Sequence, residues 1–238
     1  MTRSSRSTAA KVREVLAWLE RRGSRRNREG MARYGIVSAK AFGVSVVPLR
    51  QLARRIGKDH ELAQALWETG WLEARILTAF IDDPALVTSG QMDRWARDFD
   101  NWAVCDGLCL HLFDRTPHAW RKVTQWSRSR SEFVKRAAFA LLASLASHDK
   151  HALDSRFLGT LPLIERAATD ERNYVKKGVN WALRGVGKRN PVLNRAAVAL
   201  ARKLSIAPEP AARWVGRDAL KELTSAAVKR RVAAARGL

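Results

Sequence analysis

Cysteine is scarce in this chain: there are 2 in 238 residues, and both lie in one short segment. Cys105 and Cys109 are four residues apart on a predicted helix, where a disulfide would require both side chains to leave helical geometry. With the nearby His111 they would point to different sides of that helix, which makes a poor tetrahedral metal site. We therefore expect no disulfide and no metal, and reduced thiols favour a cytoplasmic protein.

Long apolar runs and strand patterns are also lacking. The longest apolar runs, such as residues 137–143, are much shorter than the roughly 20 residues that a helix needs to cross a bilayer. No apolar segment typical of a secretory signal follows the polar and basic residues 1–13. β-Branched alternations are few, and no hairpin dipeptide separates two of them. These absences argue against a membrane-spanning or β-rich protein and favour an all-α fold.

Acidic residues are strongly outnumbered by basic ones. The chain has 23 Asp and Glu against 44 Lys and Arg, which gives a formal net charge of +21 and a sequence pI of about 11.2. A protein this basic attracts polyanions, so nucleic acid or an anionic membrane surface is the expected ligand. The hydrophobic content of 46% is ample for the core of a domain of this length.

Helical periodicity fills the sequence. Ser7 or Thr8 can cap a first helix that runs to Gly23, and Pro48 can occupy the first turn of another that stops at Gly57. Further helices are predicted over residues 59–68, 71–81, 90–100, 102–113, 117–127, 131–147, 155–169, 171–187, 190–204, 209–216 and 217–235. Because the connections are short and recur at helix-turn-helix intervals, we expect a curved, right-handed superhelical solenoid of HEAT-like repeats. It would be a single domain over residues 1–238, with a disordered basic N-terminus at about 1–7 and a frayed C-terminal end.

One predicted helix carries an aromatic ring and a carboxylate one turn apart. Trp102 and Asp106 would project from the same face, because residues four apart are neighbours on a helix. The other residues on that face are apolar: Phe99, Ala103, Cys109, Leu110 and Phe113. The pattern thus predicts a single acid in an apolar stripe, an unfavourable place for a charge unless the ligand itself becomes positive. The alternatives are a structural acid that caps a helix or pairs with a buried arginine, and a core role for Trp102.

The predicted helix over 171–187 combines a tryptophan with basic residues. Opposite its apolar sector, a stripe holds Lys177, Trp181, Arg184 and Lys188. Such a stripe suits an aromatic platform beside phosphate contacts. The alternative is that Trp181 contacts an adjoining helix.

The predicted helix over 131–147 places Arg136 away from its apolar sector. The neighbours of Arg136 on that side are the small residues Ala140 and Ala143, which predicts open space around the guanidinium. The alternative is an ordinary solvated arginine.

Four separated segments share one likeness: residues 101–106 (NWAVCD), 133–138 (FVKRAA), 176–184 (KKGVNWALR) and 30–36 (GMARYGI). Together they resemble the AlkD-type alkylpurine DNA glycosylases, the HEAT-like DNA alkylation repair family. The order and spacing of the segments are more specific than any one of them, and the likeness covers roughly residues 8–230. The resemblance implies a monofunctional glycosylase that removes positively charged N3- and N7-alkylated purines from duplex DNA.

The resemblance also implies roles for individual residues. Four match the family residues that frame the deoxyribose and backbone of the lesion: Trp102, Asp106, Arg136 and Trp181. Tyr34 matches a residue near the modified base pair. Three more residues of the basic stripe are expected to bind DNA: Lys177, Arg184 and Lys188. The Arg- and Trp-rich segment 112–132 departs from the family pattern, which leaves the preferred lesion open.

The chemistry suits these residue types. A purine alkylated at N7 or N3 is a cationic leaving group, so cleavage of its glycosidic bond passes through a sugar with oxocarbenium character. Asp106 would stabilise that charge and orient or deprotonate the attacking water. Trp102 and Trp181 would pack on the sugar, where each indole face attracts a cation by about 0.5–2 kcal/mol. Arg136 would hold a phosphate by paired hydrogen bonds, and no metal, nucleotide or redox cofactor is needed.

Two other functions remain open at this point. One is a non-catalytic HEAT-like binder of bent or branched DNA, and the other is a protein-binding HEAT adaptor with an acidic partner. For the glycosylase we expect a monomer with no obligatory protein partner and no membrane. It would act on duplex DNA containing alkylated purines in a bacterial cytoplasm, associated with the nucleoid through DNA binding. We also expect the four central residues to converge on a concave basic surface: Trp102, Asp106, Arg136 and Trp181.

Overall fold

Helices make up the regular structure of residues 7–234, the part of the chain that the computed structural model describes. Within those residues there are fifteen α-helices, one 3-10 turn and no strand, so the predicted all-α class is confirmed. None of these helices is long and apolar enough to cross a membrane. The predicted disordered N-terminus and frayed C-terminal end lie outside the described residues, except for Ser7, whose side chain caps the first helix.

The chain divides after Pro117 into two compact units. The first contains α1 (Thr8–Arg21), α2 (Arg25–Arg33), α3 (Val46–Ile56), α4 (His60–Glu68), α5 (Leu72–Ile81), α6 (Ser89–Arg97), α7 (Trp102–His111) and the 3-10 turn Phe113–Arg115. The second contains α8 (Ala119–Trp126), α9 (Glu132–His148), α10 (Asp154–Leu158), α11 (Leu161–Ala167), α12 (Asn173–Gly187), α13 (Pro191–Ser205), α14 (Pro210–Leu223) and α15 (Ala226–Ala234).

Aromatic rings fill the core of the first unit. Trp67 of α4 stacks on Trp95 of α6 with ring centroids 4.3 Å apart, and Phe99 meets Trp67 edge-on at 6.1 Å. The Trp67 indole donates to Asp98 at 2.8 Å, while the Arg75 guanidinium lies 4.8 Å from the ring centroid. Burial of these large rings, with the indole N–H and one face of Trp67 partnered, stabilises this unit.

The sequence pattern missed α2, which lies between the first two predicted helices. This helix has no buried residue, so no apolar periodicity marks it. Hydrogen bonds hold it instead: Ser24 accepts from the backbone N–H of Asn27 at 3.3 Å, and the Asn27 side chain donates to the carbonyl of Gly43 at 2.9 Å. Gly43 has φ +87°, and a Cβ there would lie 2.2 Å from the Ser24 carbonyl oxygen. Only glycine permits this approach.

A buried carboxylate fixes the loop that holds α2. Glu73, in the first turn of α5, is fully buried. Its two oxygens accept from the backbone N–H groups of Phe42, Gly43 and Val44 at 2.9, 2.6 and 3.1 Å. Three donors to one carboxylate satisfy a charge that would otherwise be costly to bury. Glu73 therefore determines the path of the loop on which α2 rests.

Helix α9 is the centre of the second unit. Every residue from 136 to 146 is buried, because α8 packs on one side of the helix and α12 on another. Small residues make the second contact close: a Cβ on Gly185 of α12 would lie 3.4 Å from the Cα of Ala143. The Arg- and Trp-rich segment contributes to the same core, since Trp126 is buried and Trp120 packs edge-on against Phe157 at 5.0 Å.

Several predicted helix boundaries are wrong. The predicted helix over 155–169 is two short helices, α10 and α11, which are separated at residues 159–160. The predicted break after Gly216 lies inside α14, where a Cβ on Gly216 would be 2.3 Å from the backbone nitrogen of Ser205. That glycine serves close packing of α14 on the end of α13 and does not end a helix. The predicted helix over 102–113 ends at His111, and Phe113 belongs to the 3-10 turn that follows.

Candidate functional site

Helix α7 begins at Trp102, one of the predicted site residues. Asn101 is its N-cap, and the Asn101 side chain accepts from the backbone N–H groups of Ala103 and Val104 at 3.0 and 3.1 Å. This cap fixes the first turn of the helix. It therefore fixes the positions of Trp102 and, one turn later, Asp106.

Asp106 is half-buried and lies outside the buried side of α7. The buried side of α7 is formed by Val104, Cys105, Leu108 and Cys109. Trp102, Asp106 and Leu110, at spacings of four, lie along a neighbouring ridge, and all three are half-buried. Of the apolar residues of the predicted stripe, Phe99, Cys109 and Phe113 are buried, whereas Ala103 and Leu110 are half-buried. Asp106 is therefore partly exposed and lies one helical turn from Trp102.

Trp102 is held in place by a distant segment. Its indole Nε1 donates to the main-chain carbonyl of Tyr34 at 2.9 Å. Tyr34 follows the last residue of α2 and is 76% exposed. Gly35, with φ +73°, turns the chain immediately after it. Two residues that the family resemblance singled out, Tyr34 and Trp102, are thus in direct contact.

Helix α2, which ends directly before Tyr34, carries a group of cations. The sequence analysis did not assign these residues to the site. The four arginines of α2 are all exposed: Arg25, Arg26, Arg28 and Arg33. Arg25 is partly offset by Glu29, at 2.8 Å. The sequence signal was present as an Arg-rich run, but without a predicted helix it gave no position relative to Trp102.

The residues weighed as a metal site have other environments. Cys105 and Cys109 are buried in the α7 core, and the His111 ring packs against Phe80 with centroids 4.9 Å apart. The Nε2 atom of His111 lies 3.2 Å from Nη2 of Arg50. Among residues 7–234, no group of three His, Cys, Asp or Glu side chains is arranged to hold a metal ion.

Arg136 is buried, which corrects the prediction of open space around it. It is 7% exposed, and its Nη1 donates to the carbonyl of Tyr174 on α12 at 2.8 Å. A Cβ on Gly178 would lie 3.4 Å from Cγ of Arg136, so the glycine lets α12 pack directly on this side chain. The small residues near Arg136 therefore indicate close helix packing.

The segments on either side of Arg136 are tied together by charge. Asp170 accepts from Nε and Nη2 of Arg172 at 2.9 and 2.6 Å and from Lys135 at 3.0 Å. The hydrogen bonds from Arg172, assisted by Lys135 and opposed by burial, hold the pKa of the Asp170 carboxyl well below its ordinary value. Lys135 and Arg136 are thus fixed relative to the start of α12.

The predicted basic stripe on α12 divides into two parts. Lys177 is exposed and Trp181 is half-buried. Arg184 and Lys188 form ion pairs with Glu222 of α14, and the Lys188 nitrogen lies 2.7 Å from its carboxylate. Burial alone would raise the pKa of Glu222, but the hydrogen bond from Lys188 and the charges of Lys188 and Arg184 lower it overall. A carboxylate that stays ionised next to these two cations reduces their attraction for an anion.

The predicted site residues therefore fall into two groups. Tyr34, Trp102 and Asp106 belong to the first unit, where Trp102 contacts Tyr34 and shares a helix face with Asp106. Arg136 and the α12 stripe belong to the second unit, where Arg136 contacts the first turn of α12. Convergence of the two groups on one surface, and the individual roles, stay predictions.

A family model described as "DNA alkylation repair enzyme" matches residues 15–223. The chain belongs to the DNA alkylation repair enzyme family. The matched region contains every predicted site residue, from Tyr34 to Lys188. The family resemblance stated from the four sequence segments is thereby confirmed.

A solved structure supports the fold of this DNA alkylation repair family member. It is described as "a new family of proteins related to the HEAT-like repeat DNA glycosylases with affinity for branched DNA structures" and has a TM-score of 0.74 and 19% identity over 89% of this chain and 94% of that chain. At this identity the likeness establishes the HEAT-like fold alone. A designed armadillo repeat protein in complex with the peptide (KR)4 has a TM-score of only 0.37 and 15% identity, over 79% of this chain and 89% of that one. No curated protein matches the chain significantly.

Proposed function

We propose that this protein is a monofunctional DNA glycosylase that hydrolyses the N-glycosidic bond of positively charged N3- or N7-alkylated purines in duplex DNA. The observation that carries the proposal is the ridge of α7, where the half-buried Asp106 lies one turn from Trp102. Membership of the DNA alkylation repair family and a net charge of +21 support a DNA substrate.

In the proposed mechanism, Asp106 acts on the sugar and on water. As the cationic base leaves, positive charge develops at the deoxyribose, and the nearby carboxylate stabilises it. The same carboxylate orients the attacking water and accepts its proton. The electron pair of the glycosidic bond leaves with the purine, whose ring thereby loses its positive charge. Alkylation has already made the base a good leaving group, so no side chain needs to protonate it.

The other residues bind and orient the DNA. Trp102 presents its indole face to the sugar, and its hydrogen bond to Tyr34 fixes the angle of the ring. Trp181 packs on the sugar from α12, and Arg136 holds a phosphate through its guanidinium. Lys177 adds an exposed positive charge. We propose that the protein acts as a monomer on chromosomal DNA in a bacterial cytoplasm.

The test is the release of 7-methylguanine from methylated duplex DNA by the wild-type protein and by Asp106→Asn. We expect the substitution to reduce single-turnover release by roughly a hundredfold or more, the range found when a group that stabilises transition-state charge is removed. DNA affinity should be retained or improved, because a charge that repels phosphates is removed. Glu68→Gln, at an exposed position on α4, removes a negative charge from a residue outside the proposed site and should leave the rate unchanged.

A second candidate is non-catalytic binding of branched DNA. It is favoured by the solved structure with a TM-score of 0.74, whose family is described as having affinity for branched DNA structures. In that case the wild-type protein would bind DNA junctions tightly and release no base from any alkylated substrate. Equal base release by the wild type and Asp106→Asn, above the uncatalysed rate, would instead reject the role given to Asp106.

A further inference from the structure

A second surface of the protein combines an aromatic ring with cations, outside the residues assigned to the proposed site. It is a shallow groove of about 390 Å³ along one side of α14, lined by Pro210, Arg213, Trp214, Arg217, Asp218 and Lys221. Trp214 is 39% exposed. All nine tryptophans of the chain lie within residues 7–234, and Trp214 is the only one of them that is exposed.

The charges around Trp214 are predominantly positive. The Lys176 nitrogen of α12 lies 5.1 Å from the centroid of the Trp214 ring. Arg217 and Lys221 are exposed at one and two turns beyond Trp214. Of the lining residues, only Asp218 is acidic, and its carboxylate lies 3.8 Å from Nη1 of Arg184. An anion that approaches the ring therefore meets several cations and a carboxylate that is already partly offset.

The groove runs alongside the α12 stripe. Helices α12 and α14 pack in the same direction: Asn180 donates to the carbonyl of Val215 at 3.3 Å, and Lys188, two turns further along α12, pairs with Glu222, two turns further along α14. Lys176 joins the two surfaces, since it precedes Lys177 on α12 and its nitrogen lies 5.1 Å from the centroid of the Trp214 ring on α14. A DNA molecule bound at Lys177 and Trp181 would therefore have the Trp214 groove beside it.

The chemistry of the groove selects an unpaired base. Within a duplex the faces of the bases are covered by their neighbours, so an indole can stack on a base only where the strand is single or the base is displaced. Base–aromatic stacking beside a positively charged groove is the usual way in which proteins hold single-stranded nucleic acid. A duplex without unpaired bases would use the cations but not the ring.

We propose that the α14 groove binds a single-stranded DNA segment that adjoins the duplex, with an unpaired base stacked on Trp214 and phosphates held by Arg217 and Lys221. This inference rests on the proposed action on DNA but not on base release. It gives the protein a substrate preference for lesions next to a flap, gap or junction, where a duplex and an unpaired strand lie together.

The test compares binding of two DNAs that share one duplex, one blunt and one with a short single-stranded flap. Fluorescence anisotropy gives the dissociation constant of each, and the ratio is the flap preference. We expect the wild type to prefer the flap DNA, and Trp214→Ala to weaken flap binding by about fivefold or more while changing blunt-duplex binding by less than about twofold. Trp214→Phe should retain most of the preference, because a phenyl ring still stacks.

Charge variants test the phosphate contacts. Arg217→Glu should weaken flap binding more than Arg195→Glu, which makes the same charge change at an exposed position of α13 outside the groove. Flap DNA carrying 5-iodouracil should crosslink on irradiation to the α14 peptide that contains Trp214. This readout does not depend on how well a variant folds.

The inference is overturned if the wild type has no flap preference, if Trp214→Ala weakens flap and blunt DNA equally, or if the crosslink falls elsewhere. Its failure is distinguishable from failure of the proposed function. Release of 7-methylguanine from blunt duplex should be unaffected by Trp214→Ala and reduced by roughly a hundredfold or more by Asp106→Asn. A protein that releases no base but loses its flap preference in Trp214→Ala would uphold the groove and reject the glycosylase.

Discussion

The Trp102 indole donates its hydrogen bond to the Tyr34 carbonyl across 68 positions of sequence. The bond joins the first residue of α7 to the end of α2, a helix that has no buried residue of its own. It therefore does two things: it satisfies a polar atom beside the core, and it fixes which face of the ring is turned toward a ligand. The orientation of Trp102 relative to Asp106 depends on α2 being in place.

Replacement of Trp102 by Phe tests this dependence. The variant keeps an aromatic ring but loses the hydrogen bond to Tyr34, so we expect the free energy of unfolding to fall by about 1 kcal/mol. Base release should slow by roughly tenfold, because the ring is no longer held at one angle to the sugar. Urea unfolding and single-turnover release measure the two effects. Trp18→Phe is the matched control, since the Trp18 indole nitrogen has no hydrogen-bond partner in the described structure. Equal loss of activity in both variants would contradict the role of the Trp102–Tyr34 hydrogen bond.

Gly43 and Gly30 allow a second comparison. Gly43→Ala places a Cβ 2.2 Å from the Ser24 carbonyl at φ +87°, so the loop under α2 must move, and we expect a loss of about 2 kcal/mol or more in unfolding free energy. Gly30→Ala, inside α2 with nothing within 4 Å of the added Cβ, should stabilise the helix by about 0.5–1 kcal/mol. Thermal unfolding ranks the two variants. Destabilisation by both would mean that α2 does not tolerate any added side chain, and the loop contact would not be the cause.

Most helices of this protein could be predicted because their ends carry local signals. Ser7 caps α1 as expected, and Gly57, with φ +77°, ends α3 where the sequence placed the stop. The failures at α2 and at Gly216 have one physical origin. Helix α2 is held by hydrogen bonds from a loop, and Gly216 is required by the approach of α14 to Ser205. Contacts between distant segments leave no periodicity in the sequence, so the pattern could not show them.

The candidate site was predictable to the same extent. The i, i+4 spacing of Trp102 and Asp106 placed them on one ridge of α7, but the bond to Tyr34 joins segments that no local rule connects. Arg136 was misjudged because small neighbours on a helix can mean either open space or a second packed helix. In this protein they mean the second, since α12 lies against that side of α9. The pairing of Arg184 and Lys188 with Glu222 likewise required the position of α14.

Asp170 predicts a pH dependence of stability. Its hydrogen bonds from Arg172 lower the pKa of the folded carboxyl below that of the unfolded chain, so its contribution is fully present above the unfolded value of about 4 and is lost as the pH falls further. We expect Asp170→Asn to reduce the free energy of unfolding by about 1–3 kcal/mol at pH 7. The difference from the wild type should shrink steadily below about pH 4.

Urea unfolding of both proteins between pH 3 and pH 7 measures this difference. Glu171→Gln removes the neighbouring exposed carboxylate and should change stability little at any pH. A difference between the wild type and Asp170→Asn that stays constant down to pH 3 would show that the ionised carboxylate is not what holds Lys135 and Arg172.

Substitution of Glu222 should strengthen DNA binding, whereas most charge substitutions in a binding site weaken it. Glu222→Gln removes the carboxylate that pairs with Arg184 and Lys188, and at neutral pH that carboxylate is ionised because its pKa is lowered. If the two cations contact phosphates, the variant should bind duplex DNA several-fold more tightly. The slope of log K against log salt should steepen by about 1 for each additional phosphate neutralised.

Glu165→Gln breaks an ion pair with Lys203 between α11 and α13 of the same unit and removes the same charge, so it controls for the change in net charge. Anisotropy titrations over a range of salt concentrations measure both quantities, and equal affinity and slope in the two variants would mean that Arg184 and Lys188 only hold α12 on α14.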